Sequence, residues 1–282
     1  MASETSIPDA TYAFTAFPTL YQSFRHLTVG MFNNPIDVQN NRSLFGSMLN
    51  FCYHDNKRNW WGEISVAPEK EFVSLKGTTS LSSSHFGLDD SLFTIGYDYY
   101  PCQDIEILPY LTGGIPGTRR ISLRDIFEPL VGTRCYALAQ GVELVANLLR
   151  WEKSKCDFIF QERLAHFFKR KYAPLLPEDA KFARGNQTDF LFTVQYGTSK
   201  HFLEIGYNPT FYTNQEVIVP FTPTIKSPGY ITHSPYFIYL YTAERLPLLN
   251  CSGSIGLSGW IVFANNPTFW ANGLWLIFNL TF

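Results

Sequence analysis

The sequence predicts an all-β fold whose strands each separate an apolar surrounding from an aqueous one. Three observations carry this reading. Apolar and polar residues alternate with a period of two through most of the chain, the pattern of a half-buried strand. Aromatic residues make up 17% of the chain, with 25 Phe and 16 Tyr against only 3 Met, a balance that favours strands over helices. Mean hydropathy is −0.07, and no run of about 18 apolar residues occurs, so no helical membrane span is expected. Strands that turn alternate residues toward lipid average to a similarly neutral hydropathy. At 282 residues one large domain is the default.

Alternating segments occur near residues 23–33, 42–54, 59–67, 91–100, 103–112, 187–197, 200–212, 230–242, 252–263 and 268–282. In the second, Phe45, Leu49, Phe51 and Tyr53 oppose Gly46, Asn50 and His54. In the fourth, Phe93, Ile95, Tyr97 and Tyr99 oppose Thr94, Gly96 and Asp98, and in the fifth Ile105 and Ile107 oppose Asp104 and Glu106. Phe190, Phe192, Val194 and Tyr196 repeat the pattern, as do Leu203, Ile205 and Tyr207, and then Ile255, Leu257, Ile261 and Phe263. The segment 230–242 is poorly phased.

Region 113–186 reads two ways. Residues 112–118 form a Gly- and Pro-rich break, and 120–131 fit a short helix capped by Ser122. Within 135–151, Leu138, Val142, Val145 and Leu149 have helical spacing, yet Tyr136, Leu138, Val142, Leu144, Ala146 and Leu148 also fit a strand. Within 157–172, Phe158 and Phe160 favour a strand while 161–171 carries helix formers. Two strands here give twelve in all, and two helices leave ten strands with a helical insertion at 113–186.

The last segment has Leu274, Leu276, Phe278, Leu280 and Phe282 on one face and Trp275, Asn279 and Thr281 on the other. An apolar face ending in a C-terminal aromatic resembles the last strand of bacterial outer-membrane β-barrels of the porin-like kind. The resemblance implies a transmembrane antiparallel up-and-down β-barrel of twelve strands, in contact with outer-membrane lipids, whose terminal strand is read by the barrel-assembly machinery. A soluble sandwich with a buried last strand would alternate too. The resemblance also implies termini and short turns in the periplasm and longer loops outside. Short links at 55–58, 101–102, 152–155 and 198–200 fall on the first side with a longer one at 243–250, while 34–41, 68–90 and 214–229 fall on the second with a short one at 264–267. Residues 1–22 are then a periplasmic N-terminal segment and 23–282 a single barrel domain. Export requires a signal peptide, and residues 1–9 have neither a basic nor an apolar region of that kind. The sequence is therefore expected to be a mature form with an added initiator Met.

If the apolar faces meet lipid, the opposite faces supply a lumen lined by Asn50, Glu63, Asp98, Asp104, Glu106, Glu143 and Glu204, with Arg163 as the cationic member. Charged rings set selectivity by attracting counter-ions, so this acidic set predicts a channel for small solutes with cation preference. Inward carboxylates that pair with Arg or Tyr would instead pack a plugged structural or adhesive barrel, with loops 68–90 and 113–133 contacting partners. A net charge of −2 without a basic block speaks against a nucleic-acid partner.

Chemistry finds little support. A lipid-modifying enzyme on the barrel's lipid face needs a polar constellation, but in His233-Ser234 the adjacent side chains of a strand point to opposite faces. His54, His85, His166 and His201 lie near turns or ambiguous segments without a motif. Cys52, Cys102, Cys135, Cys156 and Cys251 show no metal-ligand spacing, so no metal and no cofactor is expected. Cys52, Cys102, Cys156 and Cys251 fall at the periplasmic rim of the twelve-strand arrangement, where either disulfides or free thiols fit. Trp60, Tyr97, Tyr99, Tyr53 and Phe282 lie toward strand ends, as an interfacial aromatic girdle would. Deleting Phe282, or replacing it by Lys, is expected to impair assembly, measured as the fraction of heat-modifiable folded protein in outer membranes. Wild-type levels of both variants would remove the assembly-signal reading.

Overall fold

A strand that turns one face to hydrocarbon must satisfy its backbone N–H and C=O groups along both edges, because lipid offers no alternative partner. The chain meets this demand by closing its sheet. The structure, a computed structural model, describes residues 10–31, 34–76, 80–117, 135–171, 181–218, 223–243, 252–264 and 269–281. Twelve strands succeed one another along the chain. β1 is Ala10–Met31 and β2 is Asn34–Asp55. β3 runs through Trp60–Val66 and Pro68–Lys76, and β4 through Ser80–Leu88 and Ser91–Tyr97. β5 is Ile105–Ile115, β6 Ala137–Trp151 and β7 Ser154–Phe167. β8 is Asn186–Thr198, β9 His201–Tyr212, β10 Tyr230–Ala243, β11 Ser252–Ala264 and β12 Phe269–Thr281.

Each strand pairs antiparallel with its predecessor, and β1 pairs with β2 on one edge and with β12 on the other, so the pairings form a ring. Ala13 stands opposite Thr281 and Arg25 opposite Phe269. The described turns 56–59, 152–153 and 199–200 lie at the end that holds both termini. Asn59 takes φ 58° in the first of these, where its amide reaches Asp55 O at 2.8 Å.

The burial pattern is inverted relative to a soluble domain. Ile205 is 59% exposed and Ile95 is 56% exposed, while Thr193 on the opposite face is 2% exposed. Ser65, Thr112, Asp157, Asp189, Thr210, Thr232 and Ser258 are likewise buried. Leu274 is 46% exposed and Ile277, of the other parity, 2%, so the positions of Leu276, Phe278 and Leu280 share the outer parity with Leu274. Phe282 lies outside the described residues. Thirteen residues at about 3.3 Å each, tilted by about 40°, rise about 33 Å, enough to cross an apolar band of about 25 Å. The outer faces of strand ends near the termini carry aromatic pairs, Tyr12 with Tyr53 and Trp60 with Tyr97, each 5.3 Å between ring centroids.

Several expectations are corrected. Residues 10–22 do not precede the barrel but form the first half of β1. Their alternation is faint because Ala10, Ala13 and Ala16 supply little contrast, and pairing on both edges decides the matter. Segments 34–41 and 68–90, expected as loops, are mostly strand, because β1 to β4 extend as a ladder beyond the level at which the other strands end. Beyond the apolar band both faces meet water, so no alternation marks these strands. The ten-strand alternative fails as well, since 137–151 and 154–167 are strands bound between β5 and β8 and no helix occurs among the described residues. As helices they would leave two barrel edges open. The helix expected at 120–131 falls outside the described residues. The poor phasing of β10 arises from apolar Ile238 and Leu240 on inward positions.

Arginine at the lipid face of such a barrel costs about 2 to 4 kcal/mol near the midplane. Ile95→Arg and Ile205→Arg are therefore expected to lower unfolding free energy in lipid vesicles by that amount, and Thr94→Arg, on the interior face, by less. Equal losses would contradict the facing.

Candidate functional site

Polar side chains from every part of the ring converge in the interior. Its aromatic residues lie across glycines of the next strand. Trp61 covers Gly96, Tyr110 covers Gly141 and Tyr236 covers Gly206, with ring atoms inside the space that a Cβ would occupy, so any larger residue would displace the ring. Trp61 and Tyr110 are 6.3 Å apart between centroids, and Gln161 donates to Tyr110 Oη at 2.8 Å.

On one side of the interior, Glu204 accepts from Gln195 Nε2 at 2.8 Å and from Tyr236 Oη at 2.7 Å, and the same hydroxyl lies 2.7 Å from Thr193 Oγ1. Toward the end away from the termini, Arg163 places Nη2 at 2.6 Å and Nε at 2.8 Å from Asp189 Oδ2, while Gln187 donates to Asp189 Oδ1 at 2.8 Å. This pair is a compensated, structural charge. Glu63 accepts from Ser65 Oγ at 2.8 Å and from the Cys52 thiol at 3.3 Å.

The termini end holds a further cluster. His54 lies 2.6 Å from Asp98 Oδ2 through Nε2 and 2.6 Å from Asn56 Oδ1 through Nδ1, and Asn56 donates to Thr11 Oγ1 at 3.0 Å. Asp98 is 4% exposed and its amide donates to Asn59 O, which ties the turn after β4 to the turn after β2. Tyr100 bonds Glu106, and Glu143 is half-buried within the electrostatic reach of Glu106, Glu204 and Asp98.

Of the eight residues expected to line the lumen, Asn50, Glu63, Glu106, Glu143, Arg163 and Glu204 occupy inward strand positions. Asp98 lies in a turn, buried against His54. Asp104 is not on a strand of the barrel and reaches only the cavity at the end that holds the termini. It is exposed in the turn before β5, since the break at 103–104 ends the period on which its placement relied. Sequence reasoning missed Asp157 and Asp189, although Asp157, Gln161 and Arg163 share one parity and Asp189 and Gln195 another. It also missed Trp61, Tyr110 and Tyr236, whose inward facing shows only through their glycine partners. Cys52, Cys102 and Cys156 carry free thiols, while Cys251 lies outside the described residues. His233 bonds Tyr207 on the outer face, and Ser234 points inward. No group of three metal-ligating side chains occurs among the described residues.

A closed, twelve-stranded antiparallel ring with an apolar exterior and a polar interior defines a transmembrane β-barrel of the outer-membrane type. Solved structures share this fold. The COG4313 outer membrane channel from Pseudomonas putida F1 is similar over 100% of this chain and 99% of its own, with a TM-score of 0.57 at 10% identity. The transport unit of the autotransporter AIDA-I from Escherichia coli is similar over 100% and 92%, with a TM-score of 0.50 at 9% identity. No protein-family profile matches the sequence. No curated protein matches it either.

Tyr236→Phe removes the hydroxyl that Glu204 and Thr193 share. A hydrogen bond to a charged group contributes about 1.5–3 kcal/mol, so denaturant titration in detergent is expected to show a loss in that range, with no loss for Tyr241→Phe on the outer face.

Proposed function

We propose that the protein is a channel of the bacterial outer membrane that passes small solutes and prefers cations. The observation that carries this is the uneven compensation of interior charge. Asp157 and Asp189 have the cationic partners Lys155 and Arg163. Glu63 and Glu204 are held by neutral donors, and Glu106 by a Tyr hydroxyl, so their charge is solvated and positioned without being neutralised. Fixed carboxylates in a narrow low-dielectric conduit attract counter-ions even when net protein charge is only −2. The lipid-facing exterior supports an outer-membrane location, and the parity of the terminal strand supports delivery by the barrel-assembly machinery. A non-enzymatic role fits the interior, where Glu63, Glu204, Asp157 and Asp189 are each held by hydrogen bonds or ion pairs to neighbouring side chains.

A second reading, a structural or adhesive barrel with a filled lumen, draws on the interior aromatics Trp61, Tyr110 and Tyr236 and on the sheet extension of β1 to β4. Conductance separates the two. In planar bilayers under a KCl gradient the reversal potential is expected to show cation preference, and Glu63→Gln with Glu106→Gln together to reduce it. Anion preference in the unmodified protein would refute the charge argument, and absence of current would favour the filled barrel.

A further inference from the structure

At the termini end the interior widens into a cavity of about 660 Å³, and its charge differs from that of the deeper lumen. Arg150 and Lys155 face it from β6 and β7 and Lys153 from the turn between them, while Glu106 faces it from the neighbouring strand β5 and Asp104 and Tyr100 from the segment before β5. The cause is a local irregularity. The register between β6 and β7 shifts at Cys156/Asp157: Cys156 stands opposite Leu149 but Asp157 opposite Asn147, leaving Leu148 as an extra residue. A bulge of this kind reverses the facing of the residues beyond it. Leu148 and Leu149 are both exposed, and Arg150 takes the inward position directly opposite Lys155.

Like charges directly opposite on one sheet face repel and destabilise a ladder. Here two cations are brought together by the bulge and only partly satisfied. Lys155 Nζ lies 2.9 Å from Asp157 Oδ2, whose other oxygen is taken by Asn147 at 2.9 Å. Arg150 donates through Nη2 to Gln103 O at 3.1 Å, leaving most of a guanidinium that can hold a carboxylate with two parallel bonds. On the neighbouring strand β5 Glu106 offers the opposite charge, and Phe202 and Leu240, on β9 and β10, supply apolar wall.

We propose that this mouth is a binding subsite for small zwitterionic solutes of the amino-acid type, with the carboxylate on Arg150 and Lys155 and the ammonium toward Glu106. The subsite names the solute class of the channel reading and rests on that reading for its role in passage. A simple cation gains nothing from the Arg150–Lys155 pair, and an anion is repelled by Glu106, whereas a zwitterion satisfies both charges at once.

Calorimetric titration of the full-length protein, folded in detergent, uses three related probes: L-alanine, L-alaninamide, which keeps only the cation, and N-acetyl-L-alanine, which keeps only the anion. L-alanine is expected to bind at least about tenfold more tightly than either analogue. Arg150→Gln should abolish the preference over alaninamide, and Glu106→Gln the preference over N-acetylalanine. Lys155→Gln should also weaken alanine binding, and the heat-modifiability of each variant on gels shows that the barrel has folded. Alaninamide binding as tightly as alanine, or no alanine binding to the unmodified protein, would overturn the subsite. Ion current through the same preparation judges the channel separately, so a conducting protein that binds no alanine keeps the channel and loses the subsite.

Discussion

Closure of the backbone hydrogen-bond ring is the constraint on which the other features depend. β1 is bonded to β2 along one edge and to β12 along the other, so neither of its edges faces the apolar surrounding. An unpaired N–H or C=O in hydrocarbon costs several kcal/mol, and an open sheet would carry a row of them. Once the ring is closed, the pleat forces alternate residues to opposite solvents, and the inverted burial results: isoleucines and phenylalanines outward, threonines, aspartates and glutamines inward. The rule also explains why the faintly patterned first half of β1 is indispensable, because it is the element that joins the last strand to the second.

Inside the ring the residues solve a packing problem and an electrostatic one together. Aromatic rings on one strand lie over glycines on the next, which fills volume without pushing strands apart. The hydroxyl of one of them, Tyr236, also donates to the carboxylate of Glu204. Toward the end away from the termini Arg163 is paired with Asp189, while Glu63 and Glu204 are held by neutral donors. At the mouth both signs meet where Arg150 turns inward beside Glu106.

The chain departs from the minimum barrel at the end away from the termini. β1 and β2 are 22 residues each, far longer than the 13 of β8, β11 or β12, and β3 and β4 continue their ladder. A smaller four-stranded sheet rises from the connections between β7 and β8 and between β9 and β10, through Arg170–Lys171, Lys181–Ala183, Gln215–Ile218 and Ile225–Ser227. Both elements stand in water, where backbone pairing rather than an apolar face holds the strands.

The period-two pattern by itself determined the all-β class, most strand positions within the apolar band and the inward parity of Glu63, Glu106 and Glu204, because two solvents on two faces imprint alternation directly on the sequence. It could not determine where strands continue beyond the band, since a strand wet on both faces leaves no such imprint, and so 34–41 and 68–90 read as loops. Segments 137–151 and 154–167 also carry helical spacing, so the twelve-strand reading rests there on their pairing with β5 and β8. Only the tertiary structure joined β1 to β12, buried Asp98 against His54 and turned Arg150 into the mouth through a one-residue register shift. Each of these depends on which backbones are neighbours, and local alternation is indifferent to that.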